Sequence, residues 1–201
     1  VEGRTLRSWL GDEPRHSWRE VVDVFVQVGR GLGAAHDAGL THRDFKPENV
    51  IVGDDGRARV TDFGLAVDAS EASVGGALPS VGGAELHHSM TITGKLVGTP
   101  AYMAPEQLAG RHADHRADQF ALCVAFYEAL YGERPFSGES LAELRECVEA
   151  GLVARGSSDG VPRWLHRVIE RGLATDPARR FATTADLVAA LENDPGRSRT
   201  R

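Results

Sequence analysis

His42-Arg43-Asp44-Phe45-Lys46-Pro47-Glu48-Asn49 is the stretch on which the fold turns, and Asp62-Phe63-Gly64 begins thirteen residues after it ends. Together they hold a candidate base (Asp44), a cation for a phosphate (Lys46) and two oxygen ligands for a hard metal ion (Asn49, Asp62). Metal-assisted phosphoryl transfer needs that set, because its chemistry is mostly positioning and charge neutralisation around the moving group. A third block, Gly98-Thr99-Pro100-Ala101-Tyr102-Met103-Ala104-Pro105-Glu106, follows in order.

Working outward, the segment after Asn49 reads as a short β-hairpin. Val50-Ile51-Val52 is an apolar run, Gly53-Asp54-Asp55-Gly56 supplies turn residues, and Arg57–Thr61 alternates. The return strand would deliver Asp62 beside Asn49. Upstream, Ser17-Trp18-Arg19-Glu20 is a capping box, and Val21, Val24, Phe25, Val28, Leu32 and Ala35 form an apolar stripe at helical spacing. That helix should stop near Gly39. Gly29, Gly31 and Gly33 lie within it, follow no strand and read as close-packing positions rather than a phosphate loop. Before it, Thr5–Leu10 predicts a short helix.

Downstream, residues 66–94 are rich in Gly, Ala and Ser without periodicity, and predict a long mobile loop. Pro105–Ala109 predicts a short helix. His115 to Tyr131 predicts a helix buried on all sides, since from Phe120 to Tyr131 the sole charged residue is Glu128. Leu141–Ala150, Pro162–Leu173 and Thr184–Glu192 complete a mainly helical body, with Pro162 placed in a first turn.

Composition narrows the function classes. The 201 residues are 41% hydrophobic, enough for a packed core, and the net charge of −6 gives no electrostatic reason to expect nucleic acid or an anionic membrane as partner. Cys123 and Cys147 lack metal-ligand spacing and suit a reducing compartment. His87-His88 has no neighbouring cluster that would make it a metal site. No apolar run reaches the length of a membrane span. Of the 23 basic side chains, two are lysines, Lys46 and Lys95, so a lysine-dependent site has two candidates.

The catalytic loop, Asp-Phe-Gly, the Gly98–Glu106 block, a helix opening near Asp118 and Asp176-Pro177-Ala178-Arg179-Arg180, in that order, resemble the C-terminal lobe of a eukaryotic-like (Hanks-type) bacterial serine/threonine protein kinase. The resemblance covers nearly the whole chain: residues 1–194 as the lobe, with 195–201 a polar basic tail. It implies that Asp44 orients the substrate hydroxyl and accepts its proton, that Lys46 neutralises the γ-phosphoryl, and that Asn49 and Asp62 hold magnesium, for which manganese can substitute. Lysine at position 46 is the serine/threonine pattern. His42 and Phe63 would be internal supports, the bland reading of a core histidine being preferred to that of a general base. Arg43 would pair with a phosphorylated Thr91 or Thr93, with Ser89 a lesser candidate. Thr99 would dock substrate near Asp44 and Lys46. Glu106 and Arg180 would form a buried ion pair, and Asp118 would hold the catalytic-loop backbone.

The same resemblance implies ATP as a reactant, protein serine and threonine hydroxyls as acceptors, the kinase itself among them, and no nucleic acid. The setting would be cytoplasmic, with a membrane engaged through segments outside this chain alone. A kinase also needs a glycine-rich loop, a strand lysine and its partner glutamate. With both lysines otherwise placed, that N-terminal lobe is expected outside this chain. Val1 would then end the hinge as an adenine contact, with Ile51 in the adenine floor, and the large lobe by itself is expected to be inactive. Two alternatives stand beside this reading. One is a pseudokinase or signalling scaffold, which the upstream sequence would discriminate. The other is a small-molecule phosphotransferase, which the Gly98–Glu106 block disfavours because that element docks a peptide.

Overall fold

The structure, a computed structural model, describes residues 2–63, 99–151, 153 and 160–196. Val1, Gly64, the predicted 66–94 loop with His87, His88, Ser89, Thr91 and Thr93, Lys95, and tail residues 197–201 lie outside the described residues.

The chain opens with β1 (Gly3–Thr5) and α1 (Leu6–Leu10), the latter capped by Thr5, whose hydroxyl accepts from the Ser8 amide. β1 is an addition to the predicted hairpin: it pairs antiparallel with β2 (Val50–Gly53), which pairs with β3 (Ala58–Val60), giving a three-stranded sheet in the order β1-β2-β3. The register sets Thr5 opposite Ile51 and Val50 opposite Val60. At the hairpin turn, the Arg59 guanidinium and then the Arg57 amide hold the Asp55 carboxyl down to about 2.

α2 (Trp18–Asp37) starts at the Ser17 capping box, where the Ser17 amide donates to Glu20 Oε2 at 2.8 Å. It ends at Ala38, with Gly39 in the left-handed region at φ 80°. Its buried face meets α7 (Thr184–Glu192), and Gly29 permits that approach: a Cβ there would lie 2.7 Å from Val188 Cγ2. Between β3 and α7 along the chain come α3 (Pro105–Leu108), α4 (His115–Tyr131), α5 (Leu141–Ala150) and α6 (Arg163–Gly172). α6 begins after Pro162, which is therefore the cap rather than a first-turn residue.

α4 is the axis of the body. Every residue from Ala117 to Tyr127 is buried, and its last turn is half-buried before Gly132 closes it at φ 77°. Phe25 of α2 stacks on Phe126 at 4.5 Å between centroids, and Phe120 stacks on Phe136 at 5.7 Å. Truncating a core aromatic of this kind typically costs about 3–5 kcal/mol. The sheet and catalytic loop thus sit on one edge of a helical platform.

Candidate active site

The loop between α2 and β2 is fixed from below by Asp118 in the first turn of α4. That carboxylate is 1% exposed. Its Oδ2 accepts from the His42 amide at 2.8 Å and its Oδ1 from the Arg43 amide at 2.8 Å. His36 Nε2 lies 2.8 Å from Oδ2, and His36 Nδ1 lies 3.0 Å from Thr184 Oγ1, so the α2 imidazole bridges the carboxylate to α7. Two backbone donors and an imidazole make the burial of this carboxylate tolerable.

Held this way, Arg43 takes a left-handed backbone, φ 64°, as does Asp62, φ 61°. For a non-glycine residue that conformation costs roughly 1–2 kcal/mol and persists where the surroundings over-determine it. His42 is fully buried; its Nε2 lies 2.9 Å from the Thr61 carbonyl, joining the loop to the segment that leads to Asp62. Its ring contacts Phe63 at 4.9 Å and Phe45 at 6.0 Å.

The chemistry-bearing side chains project from this frame. Lys46 Nζ donates to Asp44 Oδ2 at 2.8 Å, while Asp44 Oδ1 is buried and has no hydrogen-bond partner among the described residues. Asn49 Nδ2 donates to the Asp44 carbonyl at 3.0 Å, which fixes the amide and turns its oxygen to other use. The Thr61 amide donates to the Asn49 carbonyl at 2.9 Å, so the return strand brings Asp62 to the Asn49 end of the loop. Asp62 itself is exposed. One carboxylate and one amide oxygen fit a hard divalent cation that takes its remaining ligands from phosphate and water. Among the described residues there is no cluster of three or more His, Cys, Asp or Glu that would hold a metal alone.

The remaining candidate residues fall in three places. Ile51 is in β2, half-buried. Thr99 opens the short turn Thr99–Tyr102 that leads to α3. Arg180 Nη1 and Nη2 donate to Glu106 Oε1 and Oε2 at 2.7 and 2.8 Å, a buried bidentate pair, and Arg180 also donates to the carbonyls of Arg116 and Ala174. The pair ties α3 to the segment after α6.

Several contributors carry no motif. Gln107 Nε2 donates to the Arg43 carbonyl at 2.8 Å while its Oε1 accepts from the Ala104 amide. His36 reads in the sequence as one polar residue on a helix. Arg7, Glu48, Tyr102 and Glu128 form a polar knot joining α1, the loop, the Thr99–Tyr102 turn and α4. No local pattern relates residues so far apart in sequence.

The structure thus brings together a loop bearing Asp44 and Lys46 stapled to a buried aspartate, the Asn49 and Asp62 oxygens at its end, and the Glu106–Arg180 anchor, the arrangement expected from the resemblance to a phosphotransferase. The chain belongs to the protein kinase family, whose protein kinase domain matches residues 1–190. Its relatives are serine/threonine kinases of bacteria of the Hanks type. Serine/threonine-protein kinase PknL of Mycobacterium tuberculosis is 38% identical over 197 residues, covering 96% of this chain and 45% of that protein. PknE of the same species is 38% identical over 191 residues, covering 94% of this chain and 31% of its own length. A probable serine/threonine-protein kinase of Clostridium perfringens is 28% identical over 194 residues, covering 96% and 26% respectively. The chain therefore spans less than half the length of each. Kinases of this family use ATP and magnesium.

Proposed function

We propose that this chain is the large lobe of an active serine/threonine protein kinase that transfers the γ-phosphoryl of ATP to protein hydroxyls. The observation that carries the reading is the Asp44 carboxylate, one oxygen paired with Lys46 and the other buried without a partner among the described residues. An acceptor poised like that suits a substrate hydroxyl.

When bound, ATP supplies the phosphoryl group and magnesium neutralises its charge. Asp44 orients the attacking hydroxyl and takes up its proton as the new oxygen–phosphorus bond forms and the bond to the β-phosphate oxygen breaks. Lys46 holds negative charge near the reacting centre. The Asn49 and Asp62 oxygens are the metal ligands, and Ile51 and Val1 belong to the adenine site. Thr99 docks the substrate segment, and Arg43 pairs with phosphorylated Thr91 or Thr93. A cytoplasmic setting accords with the two free thiols, Cys123 and Cys147. Among the described residues no helix is long and apolar enough to cross a membrane.

The test is phosphotransfer by the full-length protein to a serine- and threonine-bearing protein in Mg-ATP. Asp44→Asn should lower kcat by roughly 10²–10⁴-fold, and peptide mapping of the wild type should place phosphate on Thr91 or Thr93. A well-folded wild type without phosphotransfer would hand the protein to the pseudokinase reading.

A further inference from the structure

Among the described residues β3 is an edge of the three-stranded sheet, so one row of its backbone groups has no strand to bond. Its inner row faces β2: the Arg57 carbonyl accepts from the Gly53 amide at 2.9 Å, and Ala58 stands opposite Val52. On the outer row Gln27 of α2 takes the place of a neighbouring strand. The Ala58 amide donates to Gln27 Oε1 at 3.1 Å, and Gln27 Nε2 donates to the Gly56 carbonyl at 3.3 Å. A carboxamide offers the acceptor and the donor that a peptide group offers, so one side chain closes both positions of the edge. Nε2 also donates to the Asp23 carbonyl at 3.4 Å, which ties the side chain to its own helix. Four residues further along α2, a Cβ on Gly31 would meet Val60 Cγ2 at 3.4 Å, so the helix lies against β3 at both ends of the strand.

The strand held in this way leads directly to the metal-ligand pair. Ala58 is four residues before Asp62, and Thr61 alone separates the end of β3 from it. The Thr61 amide is bonded to the Asn49 carbonyl, and the Thr61 carbonyl lies 2.9 Å from His42 Nε2. A slide of β3 along β2, or a tilt away from α2, would therefore carry Asp62 away from Asn49. Magnesium demands near-ideal octahedral geometry, so a displacement too small to unfold anything still weakens its hold. Gln27 acts on the two ligands through the strand rather than by touching them.

We propose that Gln27 is a positioning residue for the metal-ligand pair: standing in for a strand on the outer edge of β3, it fixes the hairpin against α2 and so sets the placement of Asp62 relative to Asn49. The proposal rests on the kinase reading above and concerns the same site. A Gln27 that merely stabilised the lobe would lower the melting temperature and leave the contribution of magnesium to nucleotide binding untouched.

The test compares full-length wild type, Gln27→Met and Gln27→Glu. Methionine keeps the length of the side chain and loses both bonds, whereas glutamate keeps an acceptor for the Ala58 amide and loses the donor to Gly56. Titration calorimetry reads the affinity for ADP with magnesium and, separately, with EDTA. In Gln27→Met the affinity with magnesium should fall about fivefold and the affinity in EDTA should not change. That loss is smaller than the roughly 10–100-fold seen when a direct partner of a metal ligand is removed, because Gln27 acts through a strand. Gln27→Glu should fall between wild type and Gln27→Met. Without any ligand, amide hydrogen exchange in Gln27→Met should quicken at Thr61 as well as at Ala58, and stay unchanged at Val124 in the buried α4. Equal losses with magnesium and with EDTA, an undiminished gain from magnesium, or Thr61 protection that survives in Gln27→Met each overturn the proposal. If Gln27→Met does not fold, Gln27→Glu carries the same comparison, and failure of both assigns Gln27 to structure and refutes it. A wild type whose affinity for ADP gains nothing from magnesium fails the kinase reading itself, which separates the two outcomes.

Discussion

Asp118 and Glu128 lie ten residues apart on α4, about 15 Å along its axis, and each anchors part of the active edge by a different device. Asp118 is buried and satisfied chiefly by backbone amides, with His36 as its side-chain partner. Glu128 is partly exposed and satisfied entirely by side chains, Arg7 and Tyr102. Backbone donors cannot swing away, so Asp118 fixes one loop conformation, including the left-handed Arg43. Side-chain donors can be exchanged for others, so the Glu128 end can be retuned without rebuilding the loop.

The sharpest way to break this comparison is Asp118→Ala. It strands one buried and one half-buried amide and an imidazole nitrogen, and should cost about 3–5 kcal/mol of stability in urea denaturation of the full-length protein. A loss below about 1 kcal/mol would mean that the amides find other partners and that Asp118 is not the rigid end. Glu128→Gln should be milder, about 1 kcal/mol, because the site is partly wet and the amide keeps the Tyr102 bond. Equal losses at the two sites would erase the distinction.

The smallest effect is an alkaline one. Burial pushes Cys123 and Tyr131 each up to about 12, and Tyr102 upward as well. A group whose folded pKa is raised contributes stability that is present below its unfolded pKa and is lost as pH rises toward the folded value. Thermal melts should therefore be little affected by these groups through neutral pH and should decline above about pH 9, where thiols and phenols begin to ionise in the unfolded chain. Tyr102→Phe should flatten part of that decline. An unchanged slope in Tyr102→Phe would show that the knot at Glu128 is not closed by a neutral phenol.

Legibility in the sequence followed the range of the interactions. α2 was readable because its capping box and apolar stripe are local, and α4 because a run of apolar residues leaves a helix nowhere to go but inside. β1 was not, since Gly3-Arg4-Thr5 has no apolar alternation and is held by backbone pairing to β2. The catalytic-loop residues stood out because their chemistry compresses them into one stretch. His36 and Arg7 did not, because their partners are 82 and 95 residues away. The strained backbone at Arg43 and Asp62 was equally silent, for neither residue type announces a positive φ.

One packing contact has a use in time rather than in space. Cys123 of α4 is fully buried against Gly172 of α6, so closely that a Cβ on Gly172 would collide with its sulfur. No reagent reaches that thiol until the two helices part, whereas Cys147 on α5 is half-buried and does not await that event. The lag between labelling of the two thiols is therefore a clock for how often the centre of the lobe opens. It is wired into the native sequence and can be read without introducing a probe.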